Sequence, residues 1–482
     1  MENNKIRKNP TWQYSLLVFV IVVLFIALGY AIYKIDFAVL MFMSWLLAGA
    51  LTMPLGFKFR EIEDFAYESA KKCIPSSAII LAVGIMIASF MAAGTIPSIL
   101  VLGMEIITPT FFLPFTFLFC CVISVATGTS WGTAGTVGVA MIGIGTALGI
   151  NPGFTAGAII SGAYFGDKMS PLSDTTILAS TLTETNIFVH IKQMLWTTIP
   201  AAVLCVIVYS IMGFVHTGDA YDREAADAFV NSLQSLYNIN FLPVIPLIIV
   251  VIMILMRKST VVSLLIGALV ACLIAVAYQG CSITDLGTFL TSGYVANTDD
   301  TMVTSILNRG GLTSMLKLIA IFISALGLGG ILTGTGILQP IFDMLVRKIK
   351  TGKGVLLAAY VVTWLGITLV PTYNFPFVMD ATLFNPLLKR YNLKSENLSR
   401  IMEDVGTLGG TLMPWSTGPV FVAGVLGVSA AQMCKYNFLA MFVPIISLIY
   451  ILTGFSLKKI DPSRDFSAIE TEADTLQKKP SI

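Results

Sequence analysis

The sequence predicts an all-α polytopic membrane protein of two inverted-topology repeats, each with about five spanning helices, a re-entrant hairpin and a broken helix. Three observations lead there: the composition, the alternation of loop charge, and a set of polar landmarks that recurs in order. Hydrophobic residues make up 56% of the chain and charged residues 12%, about half the ~25% usual in soluble domains, and the mean hydropathy is +0.85. So little charge cannot cover a water-facing surface. At about 20 residues per spanning helix, the 482 residues have room for about ten to twelve membrane segments.

Residues 1–13 read as a cytoplasmic N-terminus, with Lys5, Arg7 and Lys8 ahead of the apolar run from Tyr14 to Tyr33. That run superficially resembles a signal peptide, but it is too long for an h-region and a second span, Phe37 to Leu55, follows at once. It is expected to be an uncleaved first helix. The seven cysteines are scattered, without a CxxC or Cys/His cluster, so neither zinc nor a disulfide framework is expected. His190 and His216 flank an apolar segment and read as interfacial bystanders. The lipid bilayer is the expected partner; no nucleic acid is.

Loop charge sets the topology. Lys58, Arg60, Lys71 and Lys72 precede the third span, Pro75 to Leu100, whereas Val101 to Thr110 holds no Lys or Arg, so this span runs outward. Phe111 to Thr127 and Trp131 to Ile150 meet at a polar, Gly-rich tip near 127–132, and the loop at Asn151-Pro152-Gly153 again lacks basic residues. Both ends of the pair therefore read as extracellular, which makes it a re-entrant hairpin whose tip needs cover from protein or a watery cavity. A broken helix near 161–180 then leads inward to Lys192, and Leu195 to Val215 leads out, closing the first repeat at 14–218. The loop 219–240, with Asp219, Asp222, Glu224 and Asp227 against Arg223, is expected to be extracellular.

The second repeat, 241–457, follows the same plan. Thr333-Gly334-Thr335 answers Gly94-Thr95, a tip near 371–376 answers Ser130-Trp131, and Pro414-Trp415-Ser416 in a broken helix near 400–430 answers Pro171-Leu172-Ser173. Three landmarks in one order indicate an internal duplication. Where the first copy has Lys-free loops, the second has Arg347, Lys348, Lys350 and Lys353, then Lys389, Arg390, Lys394 and Arg400. The copies are thus inverted, a plan in which substrate binds near the midplane at broken elements. Residues 458–482 form a short charged tail on the cytoplasmic side.

The chemistry concentrates in Ser161 to Thr176, which places Asp167, Lys168 and Asp174 in apolar surroundings. Its glycines and Pro171 interrupt a continuous helix, freeing backbone groups for a ligand; the plainer reading is an extramembrane loop with solvated charges. Intramembrane acids at a break read as a transport site. Oxygen donors are abundant at the breaks and tips: Thr127, Thr129, Ser130, Ser173, Asp174, Thr175, Thr372, Asn374, Ser416 and Thr417. Nearby cations that could receive an organic anion are Lys168 and Arg400. Each carboxylate also has a structural reading, Asp167 paired with Lys168 and Glu403 with Arg400, while Trp131 and Trp415 read as packing residues.

The stretch Gly162 to Thr176 closely resembles the signature of the NhaC family of sodium/proton antiporters, and Glu403-Asp404-Val405-Gly406-Thr407, Met413-Pro414-Trp415-Ser416-Thr417 and Ala423 to Val428 resemble its C-terminal motif. The resemblance covers roughly Pro75 to the last span. It implies membership of the ion transporter superfamily, with Ser/Asn/Thr tips of paired hairpins beside paired broken helices and an elevator-type movement. Members of that superfamily tend to be dimers, although no residue here carries a homodimer.

The expectation is a secondary active transporter of the cell membrane that exchanges cytoplasmic sodium for external protons. Sodium is cargo and no cofactor is expected. The expected cation-binding set is Thr129, Ser130, Ser173, Asp174, Thr175, Asn374, Ser416 and Thr417, with Asp174, Ser173 and Ser130 as sodium ligands and Asp174, Asp167 and Asp404 as proton-coupling acids. The alternative is a sodium- or proton-coupled exchanger of small organic acids, of the malate/lactate type, or of amino acids. A receptor is disfavoured by the lack of a signalling domain, and an enzyme by the lack of a nucleophile/base pair.

Overall fold

The computed structural model describes residues 7–106, 108–217, 223–347 and 349–460, so that Asp219, Asp222 and nearly all of the expected tail lie outside it. Long apolar stretches between caps and breakers make the described chain helical throughout, apart from loops and an isolated bridge between Leu393 and Lys459. Seven helical stretches among the described residues are long and apolar enough to cross a membrane. Outer helices turn large side chains outward, with Leu269 62% and Leu273 63% exposed, as a lipid-facing surface requires.

The first half runs through α1 (Trp12–Ala31), α2 (Phe37–Thr52), α3 (Phe59–Ala70), α4 (Ile74–Ala92), α5 (Thr95–Ile106) and α6 (Pro109–Thr127). Then come α7 (Ser130–Thr133), which passes through a π-turn into α8 (Val139–Ala147), followed by α9 (Pro152–Met169), α10 (Asp174–Leu182) and α11 (Ile187–Thr217). The middle and second half comprise α12 (Arg223–Leu236), α13 (Ile245–Leu255), α14 (Thr260–Ala277), α15 (Ile283–Ser292), α16 (Thr301–Leu307), α17 (Leu316–Gly334), α18 (Gln339–Val346), α19 (Gly352–Leu369) and α20 (Asn374–Arg390). The chain ends with α21 (Glu396–Ile401), α22 (Thr417–Leu426), α23 (Ala430–Cys434) and α24 (Phe438–Thr453).

Two expectations are refined. The third span, expected over Pro75 to Leu100, splits at Gly94, whose φ of 74° ends α4 and lets the chain turn into α5. The basic residues ahead of it flank α3, an amphipathic helix that contains Arg60, is preceded by Lys58 and followed by Lys71 and Lys72 in a 3-10 turn, and buries Ile62 and Ala66. Its backbone meets α17 at Gly330, where a Cβ would fall 2.3 Å from the Phe65 carbonyl oxygen.

Helix positions recur along the chain. α6 starts at residue 109 and α19 at 352, a spacing of 352 − 109 = 243 residues; α10 starts at 174 and α22 at 417, again 417 − 174 = 243. Three contacts join loops distant in sequence. Arg7 pairs with Glu61 at 2.7 Å, two residues expected in the cytoplasm. Asp36 pairs with Lys317, and this hydrogen-bonded ammonium holds the Asp36 carboxyl below its ordinary range. Gln279 donates to the Ala93 carbonyl at 3.1 Å.

Candidate functional site

Two hairpin tips and two helix breaks face one cavity of about 1050 Å³. At the first tip α6 ends in Gly128, left-handed at φ 70°, and the Thr129 hydroxyl caps the next helix by accepting from the Gly132 amide at 3.2 Å. This places Ser130 in the first turn of α7, buried and facing inward. At the second tip Val370 is extended and α20 starts at Asn374, whose side-chain amide donates to Thr372 at 3.2 Å.

The first break lies later than the glycines suggest. α9 runs intact through Gly162 and Gly166 and stops at Ser170, ahead of Pro171, with the chain re-entering helix at Asp174. The glycines serve packing instead: a Cβ on Gly162 would stand 2.4 Å from the Phe117 carbonyl oxygen, and one on Gly166 would stand 2.2 Å from the Val125 amide nitrogen. Their four-residue spacing puts both on the α6 side, the small-residue pattern by which membrane helices approach closely. The second break is softer. α21 continues through a π-turn over Met402–Leu408 and a 3-10 turn over Gly409–Leu412 before Met413 extends and α22 begins.

The expected site residues divide into groups. Ser130 and Ser173 converge on Asp167, donating to its two carboxylate oxygens at 2.7 and 2.6 Å, and Thr175 lies 3.0 Å from Ser173. Asp167 is 6% exposed and, among the described residues, forms no ion pair with Lys168 or any other cation. Asp174 stands apart from these serines: it is exposed to the cavity and accepts from the Tyr373 hydroxyl at 3.2 Å. Thr129, Asn374, Ser416 and Thr417 also line the cavity, and the Thr417 amide donates to the Pro371 carbonyl at 3.2 Å, tying the second break to the second tip.

Lys168 faces away from Asp167 and ion-pairs with Asp404, both completely buried. The same carboxylate accepts from Thr197 of α11 at 2.9 Å and lies 3.6 Å from the Arg400 Nε. Arg400 therefore meets Asp404, four residues on in the π-turn over Met402–Leu408, rather than the expected Glu403. Nothing in the residue spacing marks that turn; Arg400 to Asp404 is an ordinary i,i+4 pair, and only that spacing could have suggested it. The expectation also missed Tyr373 and Tyr164, whose hydroxyl would stand 2.0 Å from a Cβ on Gly418. Trp131 stacks on Phe421 of α22 with centroids 4.3 Å apart, joining the first tip to the second break.

Paired helix breaks and hairpin tips around a cavity, inside a polytopic helical membrane chain, are the architecture of a secondary transporter. The model of the Na+/H+ antiporter family matches residues 162–455, and the chain belongs to that family. It is 34% identical over 86% of its length to the malate-2H+/Na+-lactate antiporter of Bacillus subtilis, covering 88% of that protein. It is 32% identical over 94% of its length to the Na+/H+ antiporter NhaC of Alkalihalophilus pseudofirmus, covering 98% of it. It is also 31% identical over 97% of its length to the arginine/ornithine antiporter ArcD of Halobacterium salinarum, covering 96% of it. These relatives are antiporters and not enzymes, and the chain is a secondary antiporter whose family carries sodium against protons.

Proposed function

We propose that this antiporter exchanges cytoplasmic sodium for external protons, with Asp167 as the carboxylate that binds each in turn. The observation that carries the reading is the setting of Asp167, a buried carboxylate held by the hydroxyls of Ser130 and Ser173 and paired with no cation among the described residues. A desolvated sodium ion needs several oxygens, and rotation of the two hydroxyls turns their lone pairs toward one. Thr175 and Ser416, both lining the cavity, are further donors, and Asp174 is an outer carboxylate that attracts cations into it.

Exchange follows from competition for the same oxygens. An empty carboxylate at membrane depth costs on the order of 2.5 to 3.5 kcal/mol, so the unloaded site crosses rarely and the two fluxes stay coupled. The N-termini of α10 and α22 face the cavity through Asp174, Thr175, Ser416 and Thr417, and their positive ends offset part of that cost. The inverted repeats, expected from sequence and supported by the recurrent helix spacing, give the alternating-access movement two halves, and an elevator-type shift of tips and breaks together suits their packing. Lys72, Arg257 and Lys258 line the same cavity, and basic residues at span ends mark the cytoplasmic side, so its mouth reads as cytoplasmic.

The runner-up, exchange of a small organic acid or amino acid, draws on the size of the cavity, which far exceeds one dehydrated ion, and on the two helix N-termini that face it. Proteoliposomes of the purified protein, with sodium and pH gradients imposed separately, distinguish the readings. Proton movement driven by sodium alone supports sodium/proton exchange. Movement that needs added malate, lactate or a basic amino acid supports the runner-up.

A further inference from the structure

α22 begins at the cavity and leads away from it. Its first turn lines the cavity at Thr417, Gly418 and Pro419, and its 10 residues carry the chain about 15 Å to Leu426 and the left-handed Gly427. Along that length it packs on α17. Phe421 stacks on Trp131, which meets Phe322 of α17 edge-on with centroids 5.8 Å apart. One turn on, Gly424 leaves room for Leu318 of α17, since a Cβ there would fall 2.4 Å from the Leu318 Cδ1. At the end of the helix Arg309 takes over, its Nη1 donating to the Leu426 carbonyl at 2.9 Å and its Nη2 to the Ser305 carbonyl at 3.4 Å.

The backbone around Arg309 fixes it at that point. Its carbonyl accepts from the Tyr294 amide at 3.0 Å, and the Gly311 amide donates to the Gly84 carbonyl of α4 at 2.8 Å. Gly310 and Gly311 are left-handed at φ 84° and 81°. Neither has room for a side chain: a Cβ on Gly310 would stand 2.6 Å from the Ala88 amide nitrogen, and one on Gly311 would stand 2.2 Å from the Gly293 amide nitrogen. The loop is thus seated on α4, apart from the tips and breaks, and the guanidinium reaches from it to the last turn of α22. A cation there meets the negative end of the helix, and its bond to the carbonyl is charge-assisted. Arg309 is the sole Lys or Arg in 279–312, a composition that reads as an outer loop, whereas the basic residues Lys72, Arg257 and Lys258 line the cavity.

We propose that Arg309 is the outer latch of the antiport cycle, a positioning residue that ties α22 to the loop on α4 and keeps the outer side closed while the cavity is open to the cytoplasm. The inference rests on the alternating-access movement and the cytoplasmic mouth proposed above, and it holds for either cargo. For the site to face outward, α22 has to part from α17, and the bond from Arg309 to Leu426 has to break. Losing that bond therefore shifts the protein toward the outward-facing state.

Cysteine accessibility in sided membrane vesicles tests this on the full chain, with the half-buried Cys272 and Cys281 changed to serine. Leu318→Cys, under α22, reports the outer barrier, and Thr333→Cys, exposed on the cavity wall, reports the inner opening. With Arg309 present, Leu318→Cys should react slowly with an impermeant thiol reagent from outside and Thr333→Cys readily from the cytoplasm. Arg309→Gln should raise the first rate about tenfold or more, the factor set by one hydrogen bond to a charged group, and should lower the second. A merely structural role would loosen the outer end without closing the inner one. A raised first rate with an unchanged second, or no change in either, overturns the proposal. Arg309→Lys keeps the charge but not the planar fork that bonds two carbonyls, so its rates should fall between the two. This milder variant decides the question if Arg309→Gln does not insert, and rates equal to those with Arg309 would then overturn the latch. Thr333→Cys that reacts only from outside with Arg309 present defeats the cytoplasmic mouth instead, a failure distinct from that of the latch.

Discussion

Lys168 at the end of α9 and Asp404 in the π-turn after α21 form an ion pair between the two helix breaks, with both side chains completely buried. The pair joins the halves of the chain at the point where each helix loses its regular hydrogen bonds. Its members are not equivalent, because Asp404 has Arg400 and Thr197 beside it as well, whereas Lys168 depends on Asp404.

Removing one partner of a buried pair typically costs about 3 to 5 kcal/mol. Asp404→Leu leaves two buried cations without their acid and is expected to reach or exceed the top of that range. Lys168→Met leaves Asp404 with Arg400 and Thr197 and should cost less, and the double variant should recover part of the loss. Thermal unfolding of the detergent-solubilised proteins measures the order, and a Lys168→Met protein less stable than Asp404→Leu contradicts it.

The approach of α9 to α6 gives a second prediction. A Cβ on Gly166 falls 2.2 Å from the Val125 amide nitrogen and 2.4 Å from the Ser124 carbonyl carbon; backbone on that side cannot swing away as a side chain could. Gly166→Ala should destabilise by about 1 to 3 kcal/mol or more. Gly280→Ala is the contrast for crowding, since nothing lies within 4 Å of a Cβ there, leaving only the strain of its left-handed φ of 72°.

Inverted repeats predict opposite sides for matching loops. Single cysteines replacing the exposed Pro152 and the exposed Lys389 should react with impermeant thiol reagents from opposite faces of the membrane. Reaction of both from one face would remove the inversion.

Much of this architecture is legible in the residues. Apolar length and loop charge suffice for the helical membrane class, since hydrocarbon tolerates little else, and the breaks are marked by Pro171 and Pro414 with their flanking serines. The partners across the site are not legible. Ser130 and Ser173 both read as oxygen donors, but their convergence on Asp167, rather than on the adjacent Asp174, depends on where the first tip docks. Gly162 and Gly166 read as helix breakers because glycine disfavours helix in water; between membrane helices close approach outweighs that preference. The π-turn that carries Glu403 and Asp404 has no residue signature at all.

The competition of sodium and protons for Asp167 is the centre of the account, and the pH dependence of apparent sodium affinity in proteoliposomes tests it most directly. Protons occupy a carboxylate more as pH falls, so in the parent protein apparent sodium affinity should weaken with falling pH, by up to about tenfold per unit for one competing site. Asp167→Asn should insert and fold yet lose sodium-driven proton movement, while Asp174→Asn should keep exchange, and its pH dependence, at a reduced sodium affinity. Exchange that persists in Asp167→Asn with an unaltered pH dependence would contradict the account.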